Sequence, residues 1–589
     1  MIAALARTAT PKTELLRWSD HVPLSEAQDP LGLSLRGSTR LASRLLYCVT
    51  SNTPRARYFS FLPWAVSDWT RNEKPTKTAL GLKEAIVLRE KALVLGCVAH
   101  HAGTPCDQGR LVGSDSIREW FRKGLADADL RKLPFAKKPA LDVYLNSLVN
   151  LGAFVSDDER PDSDESDPAA GTFDDLRLAP LGEQLAQAYA EAIGRLPVLP
   201  DISSRARRCS LTKLRQLGRR GCFCALPKQK APEVELLRDI FFASVPLRGE
   251  AHRDRKRSLL LLLELCRQLS ADGWLFNEAL FRDSTYFGEV VSDEDDLFPL
   301  AIPDALTDIA TRWRMFYFHH YMSVALEGMF AWLVGQAGAA GLAGCSLGSL
   351  TAQLNAKSVR SALSGELDIP VSSRFGASTP SDLFSRLAGT ATHLDAHASL
   401  RLDQALRAGH AVSELRLEEL IRKRQYSTAP AGLALPLVLL GLTLSRFARW
   451  EETPYGYWLA NAATDPYLDL VPPVLTAGLS GRFGSWWEQP WEHLARYILS
   501  RYVVQQHQSL SYEKSAAGDR CLLQADGDRV ATNPGESYEK IGLGNPRWGS
   551  ALQILVDLGL IVMDDYEVPQ VSEDGLRLLE TELAQPGLT

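Results

Sequence analysis

Apolar positions recur at matching intervals in two widely separated stretches. The first reads Leu145-x-x-Leu148-x-x-Leu151-Gly152-x-Phe154-Val155 and, after an acidic insert, Leu178-x-x-x-Gly182-x-x-Leu185. The second reads Leu552-x-x-Leu555-x-x-Leu558-Gly559-x-Ile561-Val562 and then Val571-x-x-x-Gly575-x-x-Leu578. Leucines every third residue line one face of a helix. The Leu-Gly pair predicts a helix end with a left-handed cap. The apolar pair after it predicts a strand, the acidic residues a turn, and the next apolar residues a returning strand that runs into a final helix.

Helix, strand, turn, strand is the back half of a winged-helix module, and it occurs twice. Elsewhere the period is mostly 3.6 residues: an amphipathic helix over 79–101, another over Ile117–Leu125, helices over Arg253–Ser270 and Trp313–Leu333, and one over Trp491–Gln506. The run Ala431–Ser445, with Pro430 before it and Pro436 inside, is too short to span a bilayer and predicts a buried helix. The fold expectation is therefore a mainly α, multi-domain helical protein with two winged-helix-like units carrying small β-wings. The predicted divisions are an N-terminal Arg/aromatic region (1–78), a first winged-helix-like domain (79–195), a basic connector (196–247), a central helical domain (248–430), a helical region (431–510) and a C-terminal winged-helix-like domain (511–589).

Composition changes this picture little. The chain has 589 residues, 45% hydrophobic and 23% charged, with a net charge of −6, so no global field draws it to nucleic acid or membrane. Nine scattered cysteines and an N-terminus without a sustained apolar core fit a reducing cytoplasm.

Local charge matters more. Arg36, Arg40 and Arg44 share a helix face that Ser38 can cap, and Arg55 and Arg57 follow, beside Tyr58, Phe59, Phe61 and Trp64. Arginines next to aromatics can grip a phosphate backbone and stack bases, or pair with carboxylates in a core. A second basic run holds Arg205, Arg207, Arg208, Lys213, Arg215, Arg219, Arg220, Lys228 and Lys230, with no acid among them. It is a candidate nucleic-acid contact, or a solvated connector offsetting the acidic insert Asp157–Asp167 before it. That insert would repel phosphates. Cys209, Cys222 and Cys224 lie in the basic run, but two close cysteines and a distant one lack a fourth ligand, so no metal or other cofactor is expected.

The N-terminal pattern Thr53-x-Arg55-Ala56-Arg57-Tyr58-Phe59-Ser60-Phe61-x-x-Trp64, with the Arg-bearing helix before it, resembles an uncharacterised family of bacterial proteins. Gly113-Ser114-Asp115, the first Leu-Gly unit and Ala325-Leu326-Glu327-Gly328 are similar too. Members of that family occur in anti-phage defence islands beside helicase and phospholipase-D-like nuclease genes. The resemblance implies partners of helicase, nuclease or ATPase type.

Catalytic motifs are absent from the sequence: no Walker loop, no His-x-Lys pair, no His-Glu-x-x-His and no Cys-x-x-Cys. Gly344-Cys345-Ser346-Leu347-Gly348 matches the serine-hydrolase pattern, but a Gly/Ala linker precedes it, and Ser346 or Ser349 reads as a helix cap. Glu327 with His319 and His320 reads as structural. The functional expectation is a non-catalytic, DNA-associated component of a multi-protein bacterial anti-phage defence system that contacts nucleic acid and partner proteins. The alternative is a kleisin-like, protein-only scaffold whose winged-helix units bind partners.

Overall fold

A computed structural model describes residues 29–584 apart from 73–80, 156–175, 203–207, 243–248, 292–296, 368–378, 382–413, 424–429, 452–486, 515–520 and some shorter gaps. The described chain is mainly helical, and its strands form only two- and three-stranded antiparallel sheets.

A π-helical turn, Leu33–Ser38, leads into α1, Thr39–Leu45. Ser38 is not the expected cap. It is already helical, at φ −64° and ψ −38°, because the helix begins a turn earlier, and its side chain caps nothing. The aromatic helix α2, Tyr58–Asn72, is buried along most of its length. Tyr58, Phe59, Phe61 and Trp64 meet Tyr144, Tyr189, Phe223 and Phe241 edge-on or tilted. These rings build core rather than a platform for bases.

The next unit contains α3 (Leu82–His100), α4 (Ser114–Phe121), β1 (Asp127–Asp129), α5 (Ala140–Asn150), β2 (Phe154–Val155), β3 (Arg177–Leu178) and α6 (Pro180–Ile193). After it come β4 (Arg208–Ser210), which pairs with β1, then α7 (Leu211–Gly221) and α8 (Pro232–Phe242). Helices α3 and α7 pack together through glycines. A Cβ at Gly218 would lie 1.9 Å from the Gly96 carbonyl oxygen, and one at Gly96 would lie 2.5 Å from that of Leu214. The two backbones are in contact.

The middle of the chain is arranged around one long helix. α9 (Glu250–Ala271), α10 (Glu278–Tyr286) and the hairpin β5 (Glu289–Val291) with β6 (Leu297–Pro299) precede α11, Asp304–Ala340. At 37 residues α11 is about 55 Å long. It absorbs most of the stretch expected to be a Gly/Ala linker, because alanines and two tolerated glycines extend it to Gly341, which ends it at φ +63°. Then follow β7 (Cys345–Ser346), α12 (Leu347–Thr351), α13 (Ala356–Leu367), α14 (Glu414–Lys423) and α15 (Ala431–Glu451). α15 packs on α11, α13 and α14. No described helix is long and apolar enough to cross a membrane. α16 (Trp491–Ile498) and α17 (Gln505–Lys514) flank a π-helical segment, and β8 (Gln524–Asp526) and β9 (Arg529–Ala531) complete a sheet with β7.

The chain closes with α18 (Trp548–Asp557), β10 (Ile561–Met563), β11 (Pro569–Val571) and α19 (Glu573–Leu583). This unit repeats the helix cap and the return contact of the α5–β2–β3–α6 unit. Gly152 at φ +78° and Gly559 at φ +72° end their helices in the left-handed conformation. The amides of Gly152 and Ala153 donate to Val149 and Leu148, and those of Gly559 and Leu560 donate to Val556 and Leu555. Both are complete Schellman caps. The Ala153 carbonyl accepts from Ala179 as the Leu560 carbonyl accepts from Ser572. A Cβ at Gly182 would sit 2.1 Å from the first carbonyl, and one at Gly575 2.3 Å from the second. The repeated Leu-Gly and later Gly thus have one cause: the returning helix lies against the carbonyl that follows the cap. In each unit the two strands pair only with each other among the described residues.

Candidate nucleic-acid interface and the cluster beside it

The arginines read together from the sequence separate in the structure. Arg55 forks onto Asp557 with Nε at 3.0 Å and Nη2 at 2.9 Å, and Phe223 lies 4.3 Å beneath its guanidinium. Arg57 forks onto Glu233 at 3.1 and 2.8 Å and donates to the Cys222 carbonyl at 2.5 Å. Both arginines and both carboxylates are buried. Burial alone opposes the charge on each guanidinium, and the facing carboxylate reverses that and holds its pKa up. Neither Arg55 nor Arg57 can meet a phosphate in this fold, which corrects that part of the expectation. Arg44 is half-buried and reaches Glu250 and Asp254, while Arg40 is exposed. Arg547 is buried and donates to the Val49 carbonyl and Ser43.

The second basic run takes the opposite course. α7 buries Leu214, Leu217, Gly218 and Gly221 against α3 and leaves Arg215, Arg219 and Arg220 exposed. Arg208 and Lys228 are exposed as well, and Lys213 is half-buried. Arg215 donates to the Ala99 carbonyl and Arg220 to that of Ile193, so two of these side chains are positioned by helix ends. The Arg36 side chain, Arg205, Arg207 and Lys230 lie outside the described residues. Arg219 and Lys228 act on the end of α3. Burial, then His101 and these two cations, hold His100 below the usual imidazole range. A locally positive surface therefore sits on a chain of negative net charge.

Beneath this surface four metal-ligating side chains converge: His101, Cys106, Cys222 and Cys224, with their donor atoms all within 4.8 Å of one another. His101 Nε2 is 3.3 Å from Cys222 Sγ and 3.5 Å from Cys224 Sγ, and the Cys106 and Cys222 sulfurs are 3.8 Å apart. Hydrogen bonds with Cys106, then burial and the neighbouring thiols, push Cys222 and Cys224 well above the usual thiol range. Cys209, the third cysteine of the sequence pattern, is buried in β4 and outside the cluster. Two donors outside the sequence pattern, His101 and Cys106, join Cys222 and Cys224, because the Gly96–Gly218 contact brings the ends of α3 and α7 together. The signal was a His-x4-Cys spacing at the end of α3, more than a hundred residues before Cys222-x-Cys224.

The remaining candidates resolve as structure. His319 donates to the Leu33 carbonyl at 2.7 Å and His320 to the Glu418 carboxylate, and Glu327 is fully buried in α11. Ser346 accepts from the Ser349 amide as a cap, and its hydroxyl donates to Asp528. Its backbone is an unstrained extended conformation, φ −87°, unlike a nucleophile's tight turn. No family model matches this chain, and neither a curated protein nor a solved structure matches it.

Proposed function

We propose that the chain is a non-catalytic, nucleic-acid-associated subunit of a multi-protein assembly, holding a phosphate backbone on the face of α7. The two helix–hairpin–helix units act in it as winged-helix-like modules. Anti-phage defence, with helicase or nuclease partners, is the context that the N-terminal resemblance implies. The observation carrying this reading is the exposed set Arg208, Arg215, Arg219, Arg220 and Lys228, on a surface with no carboxylate bonded to Arg208, Arg219 or Lys228 among the described residues. Lys and Arg contacts to phosphates release counterions, so the binding is sequence-tolerant and salt-sensitive.

The test is titration of labelled duplex and single strand with the purified chain at about 50 and 200 mM salt. Four phosphate contacts give a slope of about −3.6 in log K against log salt, a loss of about 150-fold over that range. Arg219→Glu with Lys228→Glu is expected to shallow the slope by about 1.8. Absence of binding to either strand form at about 50 mM, or binding indifferent to the double reversal, refutes the reading.

A second reading, the protein-only scaffold, is favoured by the C-terminal hairpin. It exposes Val562, Met563 and Tyr566 beside Asp564, Asp565 and Glu567. Apolar side chains beside a row of acids suit a basic protein partner rather than a phosphate backbone. Cross-linking from Tyr566 to a protein, in a complex that forms without nucleic acid, distinguishes this reading.

A further inference from the structure

We propose that His101, Cys106, Cys222 and Cys224 bind one zinc ion as a closed structural centre that locks the end of α3 to the end of α7. The inference is independent of nucleic-acid binding and rests on geometry, ligand chemistry and the position of the cluster in the fold.

Geometry comes first. A zinc ion with sulfur ligands at about 2.3 Å and a histidine nitrogen at about 2.0–2.1 Å has tetrahedral edges of about 3.8 Å between sulfurs and about 3.6 Å between sulfur and nitrogen. The cluster has 3.8 Å for Cys106–Cys222, and 3.3 and 3.5 Å from His101 Nε2 to Cys222 and Cys224. These three edges lie within about 0.3 Å of the zinc values, and no donor pair in the cluster is further apart than 4.8 Å. Three sulfurs and one imidazole form a donor set characteristic of structural zinc. With four protein ligands no position is left for a water, so the centre has no hydrolytic chemistry.

The fold supplies the rest. His101 and Cys222 are the C-cap residues of α3 and α7. Two helix C-termini, each with a partial negative charge, therefore converge on one point, and a cation is the group they favour. Three thiolates and a neutral histidine around a divalent ion leave a net charge of −1. The Arg219 and Lys228 charges beside His100 offset it. A bound divalent metal deprotonates a coordinating thiol.

The experiment measures metal content and cobalt uptake of the full-length chain purified under reducing conditions. About one zinc per chain is expected. Replacing it with Co²⁺ should give the visible bands of a tetrahedral site and a near-ultraviolet thiolate charge-transfer band. Cys106→Ser, at a half-buried loop position, should weaken zinc binding by more than about 100-fold, since loss of an outer-shell partner alone costs 10–100-fold. His101→Cys should retain the zinc, as a four-cysteine site. Cys209→Ser, outside the cluster, should retain it too. If Cys106→Ser fails to fold, the wild-type cobalt spectrum and the His101→Cys stoichiometry still decide the matter. A folded chain that takes up neither Zn²⁺ nor Co²⁺ overturns the proposal. So does a chain whose Cys106 and Cys222 are found joined as a disulfide, or one whose metal content Cys106→Ser leaves unchanged.

Discussion

Removal of the Asp557 carboxylate should be among the most damaging single changes in this protein. Asp557 accepts two bonds from Arg55, one from the Ala56 amide at 2.9 Å and one from Gln553 at 3.2 Å, with no exposed side-chain surface. It joins residues 502 positions apart, docking the last helix–hairpin–helix unit onto the start of α2. Asp557→Ala leaves a buried guanidinium without a counter-charge, at about 3–5 kcal/mol. It also leaves a buried amide without an acceptor, at about 1–3 kcal/mol. The two overlap, so about 4–6 kcal/mol is expected, a large part of the ~5–15 kcal/mol that holds a domain folded. Arg55→Met with Asp557→Leu removes both charges, and a buried ion pair replaced by apolar side chains is often neutral. That double variant should recover all but the cost of the orphaned amide, about 1–3 kcal/mol. The assay is urea unfolding followed by tryptophan fluorescence, with hydrogen exchange of α18 as a local probe. An Asp557→Ala variant within about 1 kcal/mol of wild type, or a double variant no better than the single, refutes the reasoning.

Gly218→Ala should destabilise by about 1–3 kcal/mol, because its Cβ has only the Gly96 backbone to displace, and calorimetry should show a lower Tm. Gly575→Ala should cost a similar amount by pressing on the Leu560 carbonyl, whereas Gly549→Ala, with open space around it, should be near neutral. Burial raises Glu90 from about 4.5 to about 8. The native state therefore keeps a proton that the unfolded chain releases, and stability falls as pH rises through that window. Glu90→Gln should flatten this alkaline limb in unfolding titrations. For Glu418, burial opposes ionisation, but the His320 hydrogen bond and the His320 and Arg422 charges outweigh it and hold its pKa at about 2. Its contribution is present above pH ~4.5 and lost as pH falls toward 2, so Glu418→Gln should remove that part of the acid loss.

Local patterns announced what local physics decides. The repeated Leu-Gly and later Gly implied two helix–hairpin–helix units, because a Schellman cap and a close helix-to-carbonyl approach each demand glycine at one position. The apolar run 431–445 implied a buried helix, and α15 is buried over residues 431–444. Sequence could not say which arginines face water. Arg55 and Arg57 read like Arg215 and Arg219, and only the arrival of Asp557 and Glu233 from distant helices turns the first pair into core. The same long-range packing brings His101 and Cys106 to Cys222 and Cys224. A charge's partner and a ligand's companions are set by which backbones touch, and at the Gly96–Gly218 crossing that contact is made by residues with no side chain to announce it.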